Sequence, residues 1–252
     1  MNLLSELDQR LAWKYEPIHG SFQTHKDLEN KVSPNGEFVP FPGSTVVFRP
    51  DDLCFDVVRM MQELIHVRLE NTNMLAEKLP AYSIHMTLHD LVSPEMNPAS
   101  SEGGDSEESY RNEVSCSIDE AVKIVEEIRK EFAGRRFCMV ADRIVSMVSK
   151  SLVLLLRPQT EEDYELLLEL YHRFDPVQKL PYPLTPHITL AYFRPGTIDG
   201  DLLREAVDAA QIDRHNAPVF EFSPEAITVQ HFLDMKTYLD VPAGSAFAAT
   251  EV

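Results

Sequence analysis

The feature that most constrains the fold of this 252-residue chain is an internal repeat. In each copy an apolar run ends in Arg-Pro, a helical pattern follows, and a strand-like run then contains His-x-Thr-Leu. The Arg-Pro pairs begin at Arg49 and Arg157, and the motifs begin at His85 and His187, which are 36 and 30 residues further on. The repeated order indicates two related halves built from the same elements.

We therefore predict an α+β fold with a bilobal, pseudo-twofold arrangement. Each lobe is expected to be a mainly antiparallel β-sheet backed by helices, with a central cleft between the lobes. The lobes cover about residues 44–92 and 151–198, within a single domain over 44–252. Residues 1–43 are rich in turn signals and predict an irregular N-terminal arm. Residues 93–113 are rich in Ser, Glu, Gly, Asn and Pro, which predicts a mobile acidic loop.

Apolar spacing and turn residues predict the individual elements. The β-rich runs predict strands at 44–49, 81–92, 136–148, 151–157 and 184–193, and one or two closing strands within 226–239. The helical patterns predict helices after Asp51 and Asp52, at 161–174 and at 199–210. A further helix is predicted at 117–132, where Ser117 and Glu120 have the spacing of a capping box.

The charge of the chain restricts its ligands. Its 41 acidic residues outnumber 23 basic ones, which gives a formal net charge of -18. This charge repels a long polyanion, so we expect a small ligand and no long nucleic acid. The chain has only 9 glycines and contains no glycine-rich phosphate-binding motif. Any phosphate must therefore be held by side chains.

Cysteine usage and hydropathy indicate the compartment. Cys54, Cys116 and Cys138 have no C-x-x-C spacing, which favours a reduced chain without a disulfide framework or zinc knuckle. The first residues are acidic where a signal peptide is basic and apolar, and no stretch approaches 18 uncharged apolar residues. We expect a cytoplasmic protein that does not bind membranes.

The two His-x-Thr motifs supply the candidate chemistry. Residues i and i+2 of a strand lie on one face, so His85 and Thr87 project together, as do His187 and Thr189. A neutral imidazole can accept a proton from the attacking water or hydroxyl while a protonated imidazole donates one to the leaving oxygen. Threonine hydroxyls can bind the non-bridging phosphate oxygens. These four residues predict phosphodiester cleavage that needs no metal and no cofactor.

The duplicated hydrophobic-His-x-Thr-hydrophobic motif resembles the two-histidine (2H) phosphoesterase superfamily, over about residues 44–240. Residues 40–45 and 232–235 are similar to its uncharacterised bacterial and fungal branch. The resemblance implies a pseudo-twofold bilobal fold with the motifs lining the cleft, and hydrolysis of 2′,3′-cyclic or 2′–5′ phosphodiesters. It implies catalytic roles for His85, Thr87, His187 and Thr189. The acidic charge of this chain favours a small nucleotide or ADP-ribose-like substrate over an RNA polymer.

Secondary candidates for substrate binding are His89, Ser83, Thr185, Tyr192 and Arg194. In a regular strand His89 shares the face of His85, either as a ligand contact or as a rim histidine. Ser83 and Thr185 precede the motif histidines by two residues, and they either orient the histidines or cap the strands. Tyr192 and Arg194 reach that face only through a bulge or a strand end.

Four residues outside the motifs have two interpretations each. Arg49 and Arg157 occupy matching repeat positions, where they either offset phosphate charge or simply form the turn. Trp13 and Tyr15 either stack on a base from the N-terminal arm or pack against the core.

Two other functions stay open at this point. His85, His89 and Asp90, with His187, have a spacing that suggests a metal-dependent hydrolase, but the stretch is patterned as a strand and lacks the H-E-x-x-H glutamate. A nucleotide-binding sensor that keeps the cleft without turnover is the other alternative. Metal analysis tests the first alternative, and substrate consumption tests the second.

Overall fold

The computed structural model describes residues 3–96, 105–211 and 216–242. The α-helices are α1 (Leu3–Lys14), α2 (Asp52–Arg68), α3 (Asp105–Glu131), α4 (Glu161–His172) and α5 (Gly200–Ala210). The strands are β1 (Tyr15–Glu16), β2 (Ser21–Gln23), β3 (Gly43–Phe48), β4 (Met86–Asp90), β5 (Phe137–Met147), β6 (Ser151–Pro158), β7 (His187–Tyr192), β8 (Thr197–Asp199), β9 (Val219–Phe222), β10 (Ile227–Phe232) and β11 (Tyr238–Val241). Short 3-10 helices cover Lys26–Asn30, Ala81–Ser83 and Pro224–Ala226.

The main sheet is antiparallel and confirms the α+β class. Within the described ranges it runs β1-β5-β6-β7-β4-β3-β10-β11, and β9 also pairs with β5. The two halves of this order correspond to the two repeats, each extended outward by further strands. Strands β2 and β8 form a separate ribbon. The lobes are therefore the two halves of one continuous sheet.

The halves meet between β4 and β7. Met86 is paired with Ile188 in antiparallel register, and this is the pairing that joins the two strands. Both side chains are buried on the helix-covered face, together with Leu88 and Leu190. The apolar positions of the two motifs thus anchor the centre of the sheet, because alternation sends the motif histidines and threonines to the opposite face.

Each repeat's helix packs against the other repeat's return strand. From α2, Gln62 donates a hydrogen bond of 3.1 Å to the carbonyl of Leu190 in β7. From the region of α4, Tyr171 and Phe174 contact the ring of His89 in β4, at centroid distances of 4.9 and 5.8 Å. The repeats are therefore interlocked through their helices as well as through the sheet.

Local sequence explains the helix boundaries. Asp51 caps α2 by accepting a hydrogen bond of 2.7 Å from the amide of Cys54. Thr160 and Asp163 form a reciprocal capping box at the start of α4. The predicted helices at these two places and at 199–210 are confirmed, as are the strands predicted at 44–49, 136–148 and 151–157 and the closing strands.

The N-terminal segment is more ordered than its turn residues predict. An irregular arm is wrong for residues 3–16, because α1 covers one face of the sheet and β1 pairs with β5. Leu7 and Leu11 of α1 pack with Val153 and Leu155 of β6 on the face opposite the main core. The arm therefore forms one wall over the second half of the sheet.

The acidic segment and the helix after it also differ from expectation. Helix α3 begins at Asp105, so a loop is wrong for 105–113, and residues 97–104 lie outside the described part of the chain. Ser117 is not a cap but lies inside α3, where its hydroxyl donates to the carbonyl of Val114 and also hydrogen-bonds Ser44 at 2.7 Å. A strand over 81–92 is too long, since 81–83 form a 3-10 turn.

Among the described residues, no helix is both long enough and apolar enough to cross a bilayer.

Candidate active site

The four motif residues come together where the halves of the sheet meet. Met86 opposes Ile188, and residue numbers in an antiparallel pair add to a constant. Continuing that register by one residue on each side sets His85 opposite Thr189 and Thr87 opposite His187. Directly opposed side chains have Cβ atoms about 5 Å apart. The two motifs therefore form a crossed quartet on one face of the sheet.

Both histidines are held by the same main-chain contact. The Nδ1 atom of His85 lies 2.7 Å from the carbonyl oxygen of Ser83, and Nδ1 of His187 lies 2.7 Å from that of Thr185. A carbonyl oxygen only accepts, so Nδ1 carries the hydrogen in both rings and Nε2 is the atom that gains or loses a proton. The two imidazoles are therefore oriented alike, with equivalent atoms available for proton transfer.

A tyrosine from each edge of the sheet packs edge-on against one histidine. Tyr238 of β11 contacts His85 at a centroid distance of 4.8 Å, and Tyr15 of β1 contacts His187 at 6.2 Å. The Tyr15 hydroxyl also lies 3.4 Å from Nδ1 of His187 and 3.5 Å from the carbonyl of Thr185. The pseudo-twofold relation between the repeats thus extends to these two tyrosines. They differ in that the Tyr15 hydroxyl lies within 3.4 Å of its histidine.

The electrostatic environment of His85 favours its neutral form. Burial is the main reason that its pKa falls to about 4, and the nearby Arg49 and His187 side chains lower it further. The hydrogen bond to the Ser83 carbonyl opposes this shift without cancelling it. At neutral pH the Nε2 lone pair of His85 is therefore available to accept a proton.

The threonine hydroxyls remain available for a ligand. Thr87 and Thr189 are half-buried, and within the described ranges neither hydroxyl has a hydrogen-bond partner. Because each can donate one hydrogen, the quartet offers two hydroxyl donors beside two imidazoles.

One segment of the chain matches a known family model. Residues 31–99 match the family model described as 2H-phosphodiest, a domain of unknown function (DUF1868). The matched segment contains β3, α2 and the first His-x-Thr motif. This match, over about a quarter of the chain, supports the resemblance of the chain to the 2H phosphoesterase superfamily.

Three solved structures are similar to this chain, and the first of them supports the fold. The conserved protein of unknown function ATU0111 from Agrobacterium tumefaciens has a TM-score of 0.58 and 20% sequence identity, covering 88% of this chain and 94% of that one. Escherichia coli LigT complexed with 3′-AMP has a TM-score of 0.44 and 11% identity, covering 80% and 96%. A structure described only as a phosphoesterase has a TM-score of 0.44 and 13% identity, covering 81% and 96%. No curated protein matches the chain significantly.

Each 2H motif is followed by a β-bulge that sequence analysis did not locate. The register shifts by one residue between β3 and β4 and again between β6 and β7, and in both cases the extra residue is the motif leucine, Leu88 or Leu190. A bulge reverses the alternation of the residues beyond it. The faces assigned to residues after the motifs therefore change.

The bulge removes His89 from the site. It is paired with the core residue Val46, and its ring is buried between Tyr171 and Phe174 on the helix-covered face. The prediction that His89 contacts ligand is therefore wrong. This also separates His89 from His85, so these two side chains cannot ligate one metal ion. Within the described residues no His, Cys, Asp and Glu cluster suits a metal ion.

The two bulges bring Asp90 and Tyr192 to the site face: the bulge in β4 acts on Asp90 and the bulge in β7 acts on Tyr192. Tyr192 is paired with Ser151, on the face of Thr189, and its hydroxyl lies 3.2 Å from Sδ of Met235. Asp90 is paired with Thr45 and accepts a hydrogen bond of 2.8 Å from the Tyr182 hydroxyl. Sequence analysis names Asp90 only in the metal alternative, and its position on the site face depends on the bulge after Thr87.

Three other predicted contacts have structural roles instead. Ser83 and Thr185 orient the histidines through their carbonyls, and the Ser83 hydroxyl donates to the carbonyl of Pro80. Arg194 is directed away from the quartet: Nε donates to the carbonyl of Pro34 at 2.5 Å and Nη1 to Asn73 at 3.1 Å. These contacts connect two loops, so the structure gives Arg194 a structural role and a ligand role for it stays a prediction.

The repeated arginines differ from each other. Arg49 donates to the Tyr82 carbonyl at 2.8 Å and to Asp240 at 2.7 Å, and its charge acts on His85. Arg157 is paired with Asp8 of α1 at 2.7 Å. Tyr15 packs against His187, as described above, and the side chain of Trp13 lies outside the described part of the structure.

A cavity of about 380 Å³ lies at the C-terminal end of α2, away from the motifs. Its lining includes His66, Glu70, Asn71 and Asn73 but neither motif histidine. The candidate site is therefore the sheet face around the quartet, not this cavity.

Proposed function

We propose that the protein is a metal-independent phosphodiesterase that hydrolyses a small 2′,3′-cyclic or 2′–5′ phosphodiester of a nucleotide or ADP-ribose-like molecule. The observation that carries this proposal is the crossed quartet, in which two similarly oriented imidazoles flank two hydroxyl donors. The match of residues 31–99 to the 2H-phosphodiest family model supports phosphodiester hydrolysis as the reaction class.

In this mechanism His85 is the general base. Its low pKa keeps Nε2 unprotonated at neutral pH, so it accepts the proton of the attacking water. The water oxygen forms a bond to phosphorus as the bond to the leaving oxygen breaks. His187, protonated at Nε2, donates its proton to that leaving oxygen. Each cycle consumes one water and ends with the protonation states of the two imidazoles exchanged, and proton exchange with solvent restores them.

The threonines stabilise the transition state. Thr87 and Thr189 donate hydrogen bonds to the two non-bridging oxygens, where negative charge increases as the attacking oxygen approaches phosphorus. Because a cationic His187 lies on the same face, the site does not require a metal ion to balance this charge. The Tyr15 ring holds the His187 imidazole in place during transfer.

The decisive experiment is turnover with a substrate panel. Purified protein is incubated with 2′,3′-cyclic nucleotides, 2′–5′ dinucleotides and ADP-ribose cyclic phosphate, and products are separated by chromatography with and without a chelator. We expect hydrolysis of at least one class at a rate that the chelator does not change. Binding without consumption indicates a nucleotide sensor instead, and loss of activity on chelation contradicts the metal-free mechanism.

A further inference from the structure

A second polar centre lies near the quartet and contains two lysines that share one carboxylate. Glu95 binds Lys31 Nζ through Oε2 at 3.1 Å and Lys150 Nζ through Oε1 at 3.0 Å. Asp27 lies further from Lys150, at 3.8 Å. The lysine side chains are only 16% and 17% exposed. Two cations so largely buried require an anionic partner, and in this structure Glu95 is the carboxylate that both of them contact.

This centre connects both halves of the sheet. Glu95 follows β4 of the first half, and Lys150 lies in the turn between β5 and β6 of the second half. Lys31 comes from the N-terminal arm, directly after the 3-10 helix Lys26–Asn30. A single carboxylate therefore links segments from both halves of the sheet.

An aromatic cluster lies between this centre and the histidines. The Lys31 ammonium lies 4.6 Å from the centroid of the Phe41 ring, and Phe41 stacks on Phe232 at 6.3 Å. Phe232 contacts Tyr238 at 5.6 Å, and Tyr238 contacts His85. The six residues from His187 to Tyr192 along β7 give a span of roughly 15 Å.

A buried hydroxyl beside the lysines has no partner. Ser151 follows Lys150, is paired with Tyr192, and is fully buried, yet its hydroxyl has no hydrogen-bond partner among the described residues. Unpaired buried hydroxyls are uncommon because desolvation is not repaid. This hydroxyl lies on the face that carries Thr189 and Tyr192, so a ligand that extends from the quartet toward Lys150 passes beside it.

We propose that Lys31 and Lys150 bind a second anionic group of the substrate, a phosphate or polyphosphate on the far side of the nucleoside from the scissile phosphodiester, and that Glu95 is the internal carboxylate which this group displaces. The inference rests on the proposed function for the identity of the scissile group. A polyphosphate carries more charge than one carboxylate, so it competes effectively for two ammonium groups.

The test measures binding of inorganic tripolyphosphate by calorimetry at fixed salt. All variants carry His85→Ala and His187→Ala, so that an anion between the histidines does not contribute. Glu95→Gln removes the internal competitor, and we expect it to bind tripolyphosphate about tenfold more tightly than the parent. Glu131→Gln is the matched control, because it makes the same charge change at an exposed pair with Arg173. Adding Lys150→Met to Glu95→Gln should abolish the gain.

Two results overturn the inference. One is an equal gain from Glu95→Gln and Glu131→Gln, which indicates only the change in net charge. The other is a gain that persists when Lys150→Met is added. If Glu95→Gln does not fold, the affinities of Lys31→Met and Lys150→Met for tripolyphosphate are compared with that of Lys123→Met, which removes an exposed lysine. Equal affinities in all three variants contradict the inference.

A second measurement connects this site to catalysis. In the otherwise unchanged chain we expect the KM for a 2′–5′ dinucleotide to fall at least about tenfold when the dinucleotide carries a 5′-triphosphate, and Lys150→Met to remove this preference. If no substrate is hydrolysed, the proposed function is contradicted, and the tripolyphosphate binding result alone decides this inference. Turnover without a preference for the triphosphate contradicts the inference alone.

Discussion

His85 faces Thr189 across the junction of the two repeats, so each histidine is matched with the other repeat's threonine. This follows from the antiparallel pairing of Met86 with Ile188. A phosphoryl group at this position touches both halves of the sheet at once, and neither motif alone provides a base, an acid and two hydroxyl donors.

Removal of either motif histidine should nearly abolish turnover. We expect His85→Ala and His187→Ala each to lower kcat/KM by about a hundredfold or more, as is typical when a general acid or base is lost. The exposed His19→Ala variant is the control and should retain normal activity. Steady-state kinetics on a verified substrate makes the measurement, and near-normal turnover in either motif variant contradicts the mechanism.

Removal of a threonine hydroxyl should cost less. Thr87→Val and Thr189→Val keep the shape of a β-branched residue but lose the donor, and we expect kcat to fall by about ten to a thousandfold. The loss should appear mainly in kcat, since the hydrogen bonds strengthen in the transition state. A change confined to KM indicates that the hydroxyls only bind the ground state.

The low pKa of His85 predicts an effect of pH on stability. The folded-state value of about 4 lies below the ordinary value of 6.5, so between these values the unfolded chain binds more protons. The stability contributed by the neutral, buried ring is complete above pH 6.5 and is lost as pH falls toward 4. As pH falls through this range, we expect the free energy of unfolding of His85→Asn to decrease by up to roughly 3 kcal/mol less than that of the wild type, since each unit of pKa shift corresponds to about 1.4 kcal/mol. Urea unfolding at a series of pH values measures this, and parallel stability curves contradict it.

His89 should matter for stability and not for turnover. Its ring is buried between Tyr171 and Phe174, and Nδ1 donates to the Asp90 carbonyl at 2.8 Å. We expect His89→Ala to reduce the free energy of unfolding by about 1–3 kcal/mol through lost packing and the lost hydrogen bond. Its kcat should stay within a few fold of the wild type at a temperature where both are folded. A folded variant with a hundredfold lower kcat supports a metal or ligand role for His89.

The sequence pattern predicts the parts of the fold that depend on local signals. The repeat, the helices after Asp51 and at 161–174 and the alternation around His85 and His187 are all encoded by neighbouring residues. Helix α1 was missed because turn residues later in the arm outweighed its short leucine pattern. The spacing of Ser117 and Glu120 matches a capping box, but the same spacing also occurs within a continuous helix such as α3.

The remaining site features depend on contacts between distant segments. The bulges at Leu88 and Leu190 have no glycine to mark them, so His89, Tyr192 and Asp90 cannot be assigned to a face from alternation alone. Tyr15 and Tyr238 reach the histidines from opposite edges of the sheet, which becomes apparent only when the strand order is known. The orienting role of Ser83 and Thr185 belongs to their carbonyls and leaves no side-chain signal.

Each repeat's helix packs against the other repeat's return strand, which has a consequence for the stability of a single repeat. Gln62 satisfies the carbonyl at the other repeat's bulge, and Tyr171 covers the first repeat's return strand. A single repeat would therefore leave a buried carbonyl unpaired and an apolar strand face uncovered. Neither repeat is therefore expected to fold stably when it is expressed alone, because each completes the packing of the other.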